Sequence, residues 1–587
     1  MKWRFRFILF LFIISFLVID ARLYYWQVVR ADELSSMGRS QYNAEVKTNA
    51  LRGDIKTSDG FTIAANRISY LMYANPKVVK DKENVASILS PLLKVESASL
   101  SASLSRDSLW SPLKSRIDDN MKNKIASLKL EGLGFQDEDN RYYPEASMAA
   151  QVLGFVGRDK DGNPQGYFGL EGYYDRQLRG KEGISLQTRD AWGNPMVDSR
   201  REYSSKVDGR TLKLHIDRSV QYILEQELKN GIARYGAESG TAGIIDPKTG
   251  GVVAMASFPT FDPGSYQDYS EEVYKNVFIS DMYEPGSTFK PFVMAAALDT
   301  GLIKPNTICT ICEGPQDIGG YTIRTWNDKY NPGSTMTDVI VHSDNIGMVY
   351  VGQKLGHDRI RNYFEKFGFD GSTGIDLQGE AASTLRPKDS WHAIDFATAT
   401  FGQGITVTPI QLLSAFAAIG NEGKRMEPHL VDTIETSDGA LLKIQPKIVS
   451  QPIFSKTAKI MTEMLVSAVD NGEAKWAKPK GYRIAGKTGT AQIALAGHYD
   501  PNKTIASFIG FAPADDPKFT MLIILNKPST SIYGAETAAP IFFNIAKKLL
   551  TYYNIPPTEP VITTPELPLT PTPDLSITPE STGSASP

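Results

Sequence analysis

A serine and a lysine lie three residues apart at the start of an apolar stretch, which is a spacing that permits nucleophilic chemistry. Residues 284–290 read Glu-Pro-Gly-Ser-Thr-Phe-Lys, and the apolar run 292–298 follows. The Pro-Gly pair is typical of a break in the backbone, so a helix is predicted to begin near Ser287. Residues three apart share a helix face, which brings the Ser287 hydroxyl within reach of the Lys290 amine. A neighbouring base activates a serine, and a lysine can serve once burial or a nearby cation lowers its pKa.

The same spacing also occurs where a serine caps a helix beside a solvated lysine, so other residues must decide. Two further motifs follow: Ser343-Asp344-Asn345, and residues 487–490 with the sequence Lys-Thr-Gly-Thr. Each is weak alone, because a strand lysine usually faces solvent and an asparagine usually lies in a turn. The patterns S-x-x-K, S-D-N and K-T-G occur together in serine acyltransferases that react with β-lactams. Their joint presence in this order indicates a catalytic site.

These motifs need a scaffold, and the pattern of elements predicts an α/β domain over residues 206–553. A helix is predicted at 220–232, followed by a hairpin of strands 241–245 and 252–256. Three more strands are expected at 487–493, 505–511 and 519–525, with a final helix at 541–550. Five strands without βαβ spacing predict a mostly antiparallel five-stranded sheet flanked by helices.

The N-terminal part of the chain predicts a membrane anchor followed by a second domain. Three cations precede the apolar run 7–19, and a helix over about residues 5–26 would span a bilayer with its N-terminus in the cytoplasm. Residues 1–29 are therefore predicted as the cytoplasmic N-terminus and single transmembrane anchor, and residues 30–205 as an α+β pedestal domain. The turn-rich segment 52–60 is expected to close a hairpin.

Composition excludes several functions. The balance of 63 basic and 66 acidic residues gives a net charge of -3, which argues against nucleic acid as a partner. Cys309 and Cys312 are the two cysteines, too few for a cysteine-rich zinc site; they are either a small disulfide or two ordinary thiols. No metal site is predicted. Residues 554–587 are rich in proline, threonine and serine and are predicted to be disordered.

The chain resembles the class B penicillin-binding proteins, which are membrane-anchored peptidoglycan D,D-transpeptidases, over nearly its whole length except the tail. Its similarity to the division-specific septal branch lies in residues 73–76 and 283–291. Two segments depart from the usual pattern, 57–60 in the pedestal and 275–278 before the nucleophile. Besides the three catalytic motifs, the resemblance includes Arg52-Gly53, Gly169 to Gly172, Tyr174-Asp175, Phe401 to Gly404, Thr408 to Gln411 and Gly486 to Gln492.

The resemblance implies a role for each motif residue. Ser287 would attack the carbonyl between two D-alanines of a peptidoglycan stem peptide, with Lys290 as base. Ser343 and Lys487 would pass a proton to the departing D-alanine, and Asn345 would hydrogen-bond Lys290 and the stem. Substrate would be bound by Thr488, Gly489 and Thr490. No cofactor is implied.

The resemblance also implies partners and a location. The partners would be stem peptides, glycan derived from a lipid-linked precursor, β-lactams, a membrane glycosyltransferase and divisome proteins. The catalytic domain would lie outside the cytoplasm on the plasma membrane. An elongation-type (side-wall) transpeptidase and a largely non-catalytic scaffold remain alternatives. A class A β-lactamase would add a glutamate that activates water, and no Glu-x-x-Leu-Asn segment lies between Ser343 and Lys487.

Overall fold

The computed structural model describes residues 2–188, 201–495 and 498–559. It begins with a helix, Lys2–Tyr24, which a π-helical turn, Tyr25–Val29, continues. Together they form the one helix in the described parts of the chain that is long and apolar enough to cross a membrane, and none of it is buried against protein. The predicted apolar N-terminal helix is therefore present, starting a few residues earlier than expected.

The pedestal combines short helices with two main sheets. The long strand Thr62–Ala74 lies between Ile55–Lys56 and Ser111–Ile117 in the sheet and also pairs with Leu133–Tyr142. The pairing of 55–56 with 62–74 is the hairpin that the sequence predicted. The helices of this region are Ala31–Tyr42, Lys82–Leu93, Ser97–Leu104, Asp119–Ala126, Ala150–Leu153, Gly169–Tyr173 and Asp175–Arg179. Its other strands are Asn43–Thr48, Phe155–Arg158, Pro164–Tyr167, Gly183–Thr188 and Arg201–Ser204.

The pedestal sheet continues across the predicted boundary at residues 205–206. Strand Thr211–Leu214 pairs in parallel with Ile55–Lys56 and antiparallel with Val431–Glu435, which in turn pairs with Leu441–Lys443. One sheet thus joins strands from both predicted domains, so the catalytic domain rests on the pedestal through backbone hydrogen bonds. The boundary itself stays a prediction.

The catalytic domain is built around the predicted five-stranded antiparallel sheet, here called the central sheet. Its strands, in spatial order, are Val252–Phe258, Ser239–Ile245, Phe519–Asn526, His498–Ala512 and Ala485–Leu495. The last of these, the KTG strand, lies at the edge of the sheet and carries the third motif. All five predicted strands are confirmed.

Helices cover both faces of the central sheet. The N-terminal helix Arg218–Tyr235 and the C-terminal helix Ala538–Tyr552 pack on one face, where the rings of Phe508 and Phe542 are in contact with centroids 4.6 Å apart. The opposite face belongs to a larger core that contains the nucleophile helix, Lys290–Asp299. The other helices of this region are Val277–Ser280, Met336–Val341, Asn345–Leu355, His357–Phe367, Ala393–Ala399, Pro409–Gly420 and Ser455–Asn471. The short strands are Gln316–Ile318, Tyr321–Ile323, Arg425–Met426 and Ile448–Ser450.

The structure bears on two features of the sequence, the pair of cysteines and the C-terminal tail. Cys309 and Cys312 form a disulfide, so the first of the two alternatives holds. The amides of Thr558 and Glu559 donate to the carbonyl of Gly481 in the catalytic domain. The predicted disordered tail, 554–587, thus includes residues that make backbone hydrogen bonds to the catalytic domain, and its remainder, 560–587, lies outside the described residues.

Candidate active site

The nucleophile helix is fixed because nearly all of it is buried. Every residue from Lys290 to Leu298 is buried, and its first turns pack on a cluster of phenylalanine rings. Phe292 contacts the rings of Phe367 and Phe369 at centroid distances of 5.1 and 5.0 Å. Burying one such side chain contributes about 1.5–3 kcal/mol. The buried apolar side chains therefore fix the first turn of this helix in the hydrophobic core.

Ser287 lies in a 3-10 turn, Gly286–Phe289, that leads into the nucleophile helix. The α-helix itself begins at Lys290, three residues later than the sequence predicted. The residue at the cap position is Pro285, and no side chain caps the turn. Ser287 is half-buried, and its hydroxyl makes no hydrogen bond to any residue in the described ranges. Ser287 therefore does not cap the helix, which was the alternative interpretation of this motif.

Lys290 is completely buried and points at the second motif. Its Nζ lies 2.8 Å from Asn345 Oδ1 and 3.2 Å from Ser343 Oγ, and it also contacts the carbonyl oxygen of Ser343. Burial and the charge of Lys487 hold the pKa of Lys290 well below its ordinary value. A lysine in this state can exist as a neutral amine at physiological pH and accept a proton.

The second motif forms a tight turn between two helices. Ser343 has a φ of 55°, a left-handed conformation that is uncommon for a residue other than glycine. Asp344 caps the following helix by accepting from the amides of Ile346 and Gly347 at 2.8 and 3.2 Å. Asn345 Nδ2 donates to the carbonyl of Arg324 at 3.0 Å, which orients its oxygen towards Lys290. The turn thus presents a hydroxyl and an amide oxygen to the buried lysine.

The third motif approaches the same hydroxyl from the KTG strand. Lys487 is 3% exposed, and its Nζ donates to Ser343 Oγ at 2.9 Å. Burial lowers the pKa of Lys487 to about 8, so it is mostly protonated at neutral pH. Thr488 lies beside it, with its hydroxyl 3.3 Å from the same Nζ. Two lysines therefore converge on a single serine hydroxyl.

The KTG strand also lies directly against the nucleophile turn. A Cβ on Gly489 would come within 2.7 Å of the methyl group of Thr288, so a larger residue would push the two segments apart. The amide of Gly534 donates to the Thr490 hydroxyl at 3.1 Å, which ties the strand to the loop before the last helix. The strand segment with the predicted residues Thr488, Gly489 and Thr490 thus lies against the turn that carries Ser287.

The structure adds residues that the motif reading gave no role. The loop 401–404 lies under the nucleophile turn, where the Gly286 amide donates to the carbonyl of Gly402 at 3.0 Å. Glu284 accepts from the Gly404 amide at 3.1 Å.

Metal chemistry has no visible basis in this cleft. Among the residues that the structure describes, no group of three His, Cys, Asp or Glu side chains is placed to hold a metal ion. The chemistry available to the arrangement is instead that of an activated serine, a neutral amine and a cation. The cation and the nearby hydroxyls could bind an anionic substrate group.

Comparisons with known proteins agree with this geometry. The penicillin binding protein transpeptidase domain family matches residues 240–547, and the penicillin-binding protein dimerisation domain family matches residues 47–214. Stage V sporulation protein D of Bacillus subtilis is 34% identical over 561 residues, which cover 94% of this chain and 86% of that protein. The peptidoglycan D,D-transpeptidase FtsI of Escherichia coli K12 is 30% identical over 567 residues, which cover 95% of this chain and 93% of FtsI.

A solved structure extends the likeness to three dimensions. Penicillin binding protein 3 of Mycobacterium tuberculosis, crystallised with aztreonam, shares 27% identity and a TM-score of 0.68, with 88% of this chain and 100% of that chain covered. The structural match and the two family matches cover both the pedestal and the catalytic domain. The chain therefore belongs to the class B penicillin-binding proteins, the serine-type D,D-transpeptidases that cross-link peptidoglycan and carry a dimerisation domain before the transpeptidase domain.

Proposed function

We propose that Ser287 is the nucleophile of this transpeptidase and that Lys290 is its base. The observation that carries the proposal is the environment of Lys290. Its side chain is fully buried and contacts Ser343 and Asn345, and its pKa is lowered. Ser287 lies three residues before Lys290, and its hydroxyl makes no hydrogen bond to any described residue. A neutral amine one turn from a free hydroxyl is the arrangement that serine activation needs.

The reaction then proceeds in two balanced steps. Lys290 takes the proton of Ser287 as Oγ bonds to the carbonyl carbon between the two D-alanines. The C–N bond breaks, and the departing nitrogen receives a proton through Ser343, whose hydroxyl contacts both lysines. The amine of a second stem peptide attacks the ester carbonyl and gives up a proton to Lys290, the bond to Ser287 breaks, and Lys290 returns that proton to Oγ. The net result is one peptide bond exchanged for another.

The substrate carboxylate would be bound at the KTG strand. Lys487 supplies a positive charge and Thr488 and Thr490 supply hydroxyls, while the strand has a free edge on the side away from strand 498–512. An extended peptide can add to such an edge through main-chain hydrogen bonds. The backbone amides of Ser287 and Thr490 would hold the oxyanion, and losing one such donor typically costs about 10²–10³ in rate.

A labelling experiment tests this assignment. A fluorescent penicillin is expected to acylate the purified wild-type chain covalently, because β-lactams resemble D-Ala-D-Ala, and a relative is known in complex with aztreonam. Ser287→Ala should remain unlabelled. Ser280→Ala is the matched control, since Ser280 lies in the preceding short helix, where its hydroxyl donates to the carbonyl of Asn276 and to Asp281 Oδ1. Labelling of Ser287→Ala at the wild-type rate would exclude Ser287 as the nucleophile.

We further propose that the chain works at the outer face of the plasma membrane in division, with a membrane glycosyltransferase and divisome proteins as partners. Three cations before the anchor helix favour a cytoplasmic N-terminus. The Cys309–Cys312 disulfide supports an oxidising location for the catalytic domain. The septal assignment rests on the resemblance of residues 73–76 and 283–291 to the division branch.

Imaging distinguishes the possible settings. A fluorescent protein fused to the N-terminus should give a signal at the division site of growing cells. A signal along the side wall would overturn the division role in favour of elongation. The 34% identity to a stage V sporulation protein favours one other candidate, synthesis of spore-associated peptidoglycan. That function would give a signal confined to sporulating cells and to the developing spore.

A further inference from the structure

Two histidine rings meet where the pedestal sheet continues into the catalytic domain. His215 directly follows strand Thr211–Leu214, which pairs with the pedestal strand Ile55–Lys56. His429 lies two residues before strand Val431–Glu435 of the same sheet. The Nε2 atoms of the two rings are 3.1 Å apart, and the ring planes make an angle of 84°. A hydrogen bond between imidazoles therefore joins two segments that are 214 residues apart in the chain.

The pair lies within a close contact between this sheet and the central sheet. The amide of His215 donates to the carbonyl of Leu430 at 2.7 Å, and the amide of Val252, in the central sheet, donates to the carbonyl of His429 at 2.8 Å. A Cβ on Gly251 would come within 2.7 Å of Cγ of His215, so the hairpin of the central sheet lies directly against this ring. His429 is 7% exposed. The two rings are thus packed between the sheet that reaches the pedestal and the sheet that carries the catalytic motifs.

The contacts of the pair determine how many protons it can hold. His429 Nδ1 lies 3.0 Å from the carbonyl oxygen of Glu427, which only accepts, so this nitrogen carries a proton. In the neutral pair, His429 Nε2 is then an acceptor for the Nε2–H group of His215. One added proton leaves this bond intact, because an imidazolium ring can still donate to a neutral one. A second added proton would place two N–H groups and two positive charges 3.1 Å apart, and the contact would be lost.

The surroundings only partly offset that repulsion. The charged groups around the pair are Asp432 and Lys443 on the strands of the same sheet, Asp246 on the hairpin, Asp376, and Glu427, which pairs with Lys447. Asp432 comes nearest, with Oδ1 at 3.9 Å from His215 Nε2. Burial and, after it, the charge of His429 lower the pKa of His215, although Asp432 and Asp246 oppose the change. The ring is therefore harder to protonate in this contact than in water.

We propose that His215 and His429 form an acid-sensitive latch between the pedestal sheet and the catalytic domain, closed by their hydrogen bond and opened when both rings are protonated. The closed pair binds at most one added proton, whereas the open pair binds two. Acid therefore favours the open form, and the latch weakens as pH falls below about 6.5, the ordinary value for histidine. The inference uses neither Ser287 nor Lys290 and goes beyond the proposed function.

Hydrogen exchange of the full-length chain in detergent at pH 7.5 and 5.5 tests the latch, with rates converted to protection factors to remove the intrinsic effect of pH. In wild type, protection of residues 211–216 and 428–432 should fall about 3- to 10-fold more than that of strand Phe519–Asn526, because the closed pair binds one proton fewer. In His215→Gln this excess loss should be below about 2-fold, since a glutamine amide can donate to His429 but does not titrate. His429→Gln is a second variant with the same expectation.

The matched control is His357→Gln, which removes a ring that contacts Trp391 and Phe396 in the catalytic domain. It should show the same excess loss as wild type. An equal excess loss in the two latch variants and in wild type would overturn the proposal. So would an equal loss in strand 519–526 and at the latch in wild type, because acid would then act on the whole fold. Penicillin labelling of Ser287 at pH 7.5 should be unchanged in both latch variants.

Discussion

The chain buries charged side chains in two places, and it treats them in opposite ways. At the junction of pedestal and catalytic domain, each arginine contacts a carboxylate. Arg52 bonds Glu171 at 2.6 Å and Asp175 at 2.8 Å, and Arg141 bonds Glu171 at 2.6 Å. In the cleft, Lys290 and Lys487 are equally buried, yet both contact the neutral hydroxyl of Ser343. Neither makes a carboxylate ion pair.

The difference shows in the protonation states. Burial pushes the pKa of Glu171 up, but Arg141 and Arg52 outweigh it, and the pKa ends below its ordinary value. For Lys290, burial and a neighbouring cation act in the same direction, and its pKa falls. Paired charges are thus fixed in their ionised forms, whereas a cation that faces another cation becomes a base. The junction uses buried charge for structure, and the cleft uses it for reactivity.

The contrast between the junction and the cleft depends most strongly on Lys290 being the base. Lys290→Met should lower penicillin acylation by about 10²–10⁴-fold, the range typical of a lost general base. The fold should survive, because the change removes a buried cation and leaves a side chain of similar length. Circular dichroism and stopped-flow acylation measure the two effects. Lys478→Met, at a lysine paired with Asp470 away from the cleft, is the control and should acylate normally; near-normal acylation in Lys290→Met would contradict the assignment.

At the junction, the expected effect is on stability and not on chemistry. Glu171→Gln should lower the free energy of unfolding by about 3–5 kcal/mol, because it leaves two buried arginines without their shared carboxylate. Acylation of the protein that remains folded should be unchanged. Denaturant titration followed by intrinsic fluorescence measures the first quantity. Glu131→Gln, which removes an exposed partner of Lys80, should have no measurable effect. A loss of acylation without a loss of stability would mean that the junction also has a catalytic function.

The smallest expected effect concerns Lys487, whose burial carries a cost that depends on pH. Its pKa is about 8 in the folded chain against 10.5 ordinarily, so the folded state binds fewer protons between these values and stability rises with pH across that window. Below pH 8 the cost is fully present and amounts to at most about 3 kcal/mol. Lys487→Met should therefore be more stable than wild type at pH 7, and the gap should close between pH 8 and 10.5. Thermal unfolding measures it, and a gap that does not change with pH would contradict the assigned cause.

The sequence predicted the parts of the site that depend on local pattern. The Pro-Gly break, the apolar run after Lys290 and the alternating residues of the KTG strand are signals within a few residues, and the elements appear near the expected places. The 3-10 turn at Ser287 and the left-handed backbone of Ser343 were not predicted, because the surrounding packing imposes them. The pairing of Arg52 with Glu171 joins segments far apart in the chain. No periodicity in the sequence encodes such contacts.

The disulfide has a practical consequence for experiments on this chain. Cys309 and Cys312, 2% and 0% exposed, are the two cysteines of the sequence, and they are bonded to each other. The oxidised protein therefore offers no native thiol to a maleimide or an iodoacetamide. One cysteine introduced on the pedestal and one beside the nucleophile turn would be the two attachment points for a pair of spin labels or dyes. Distances between the pedestal and the cleft could then be followed in the membrane-anchored protein without first removing any natural residue.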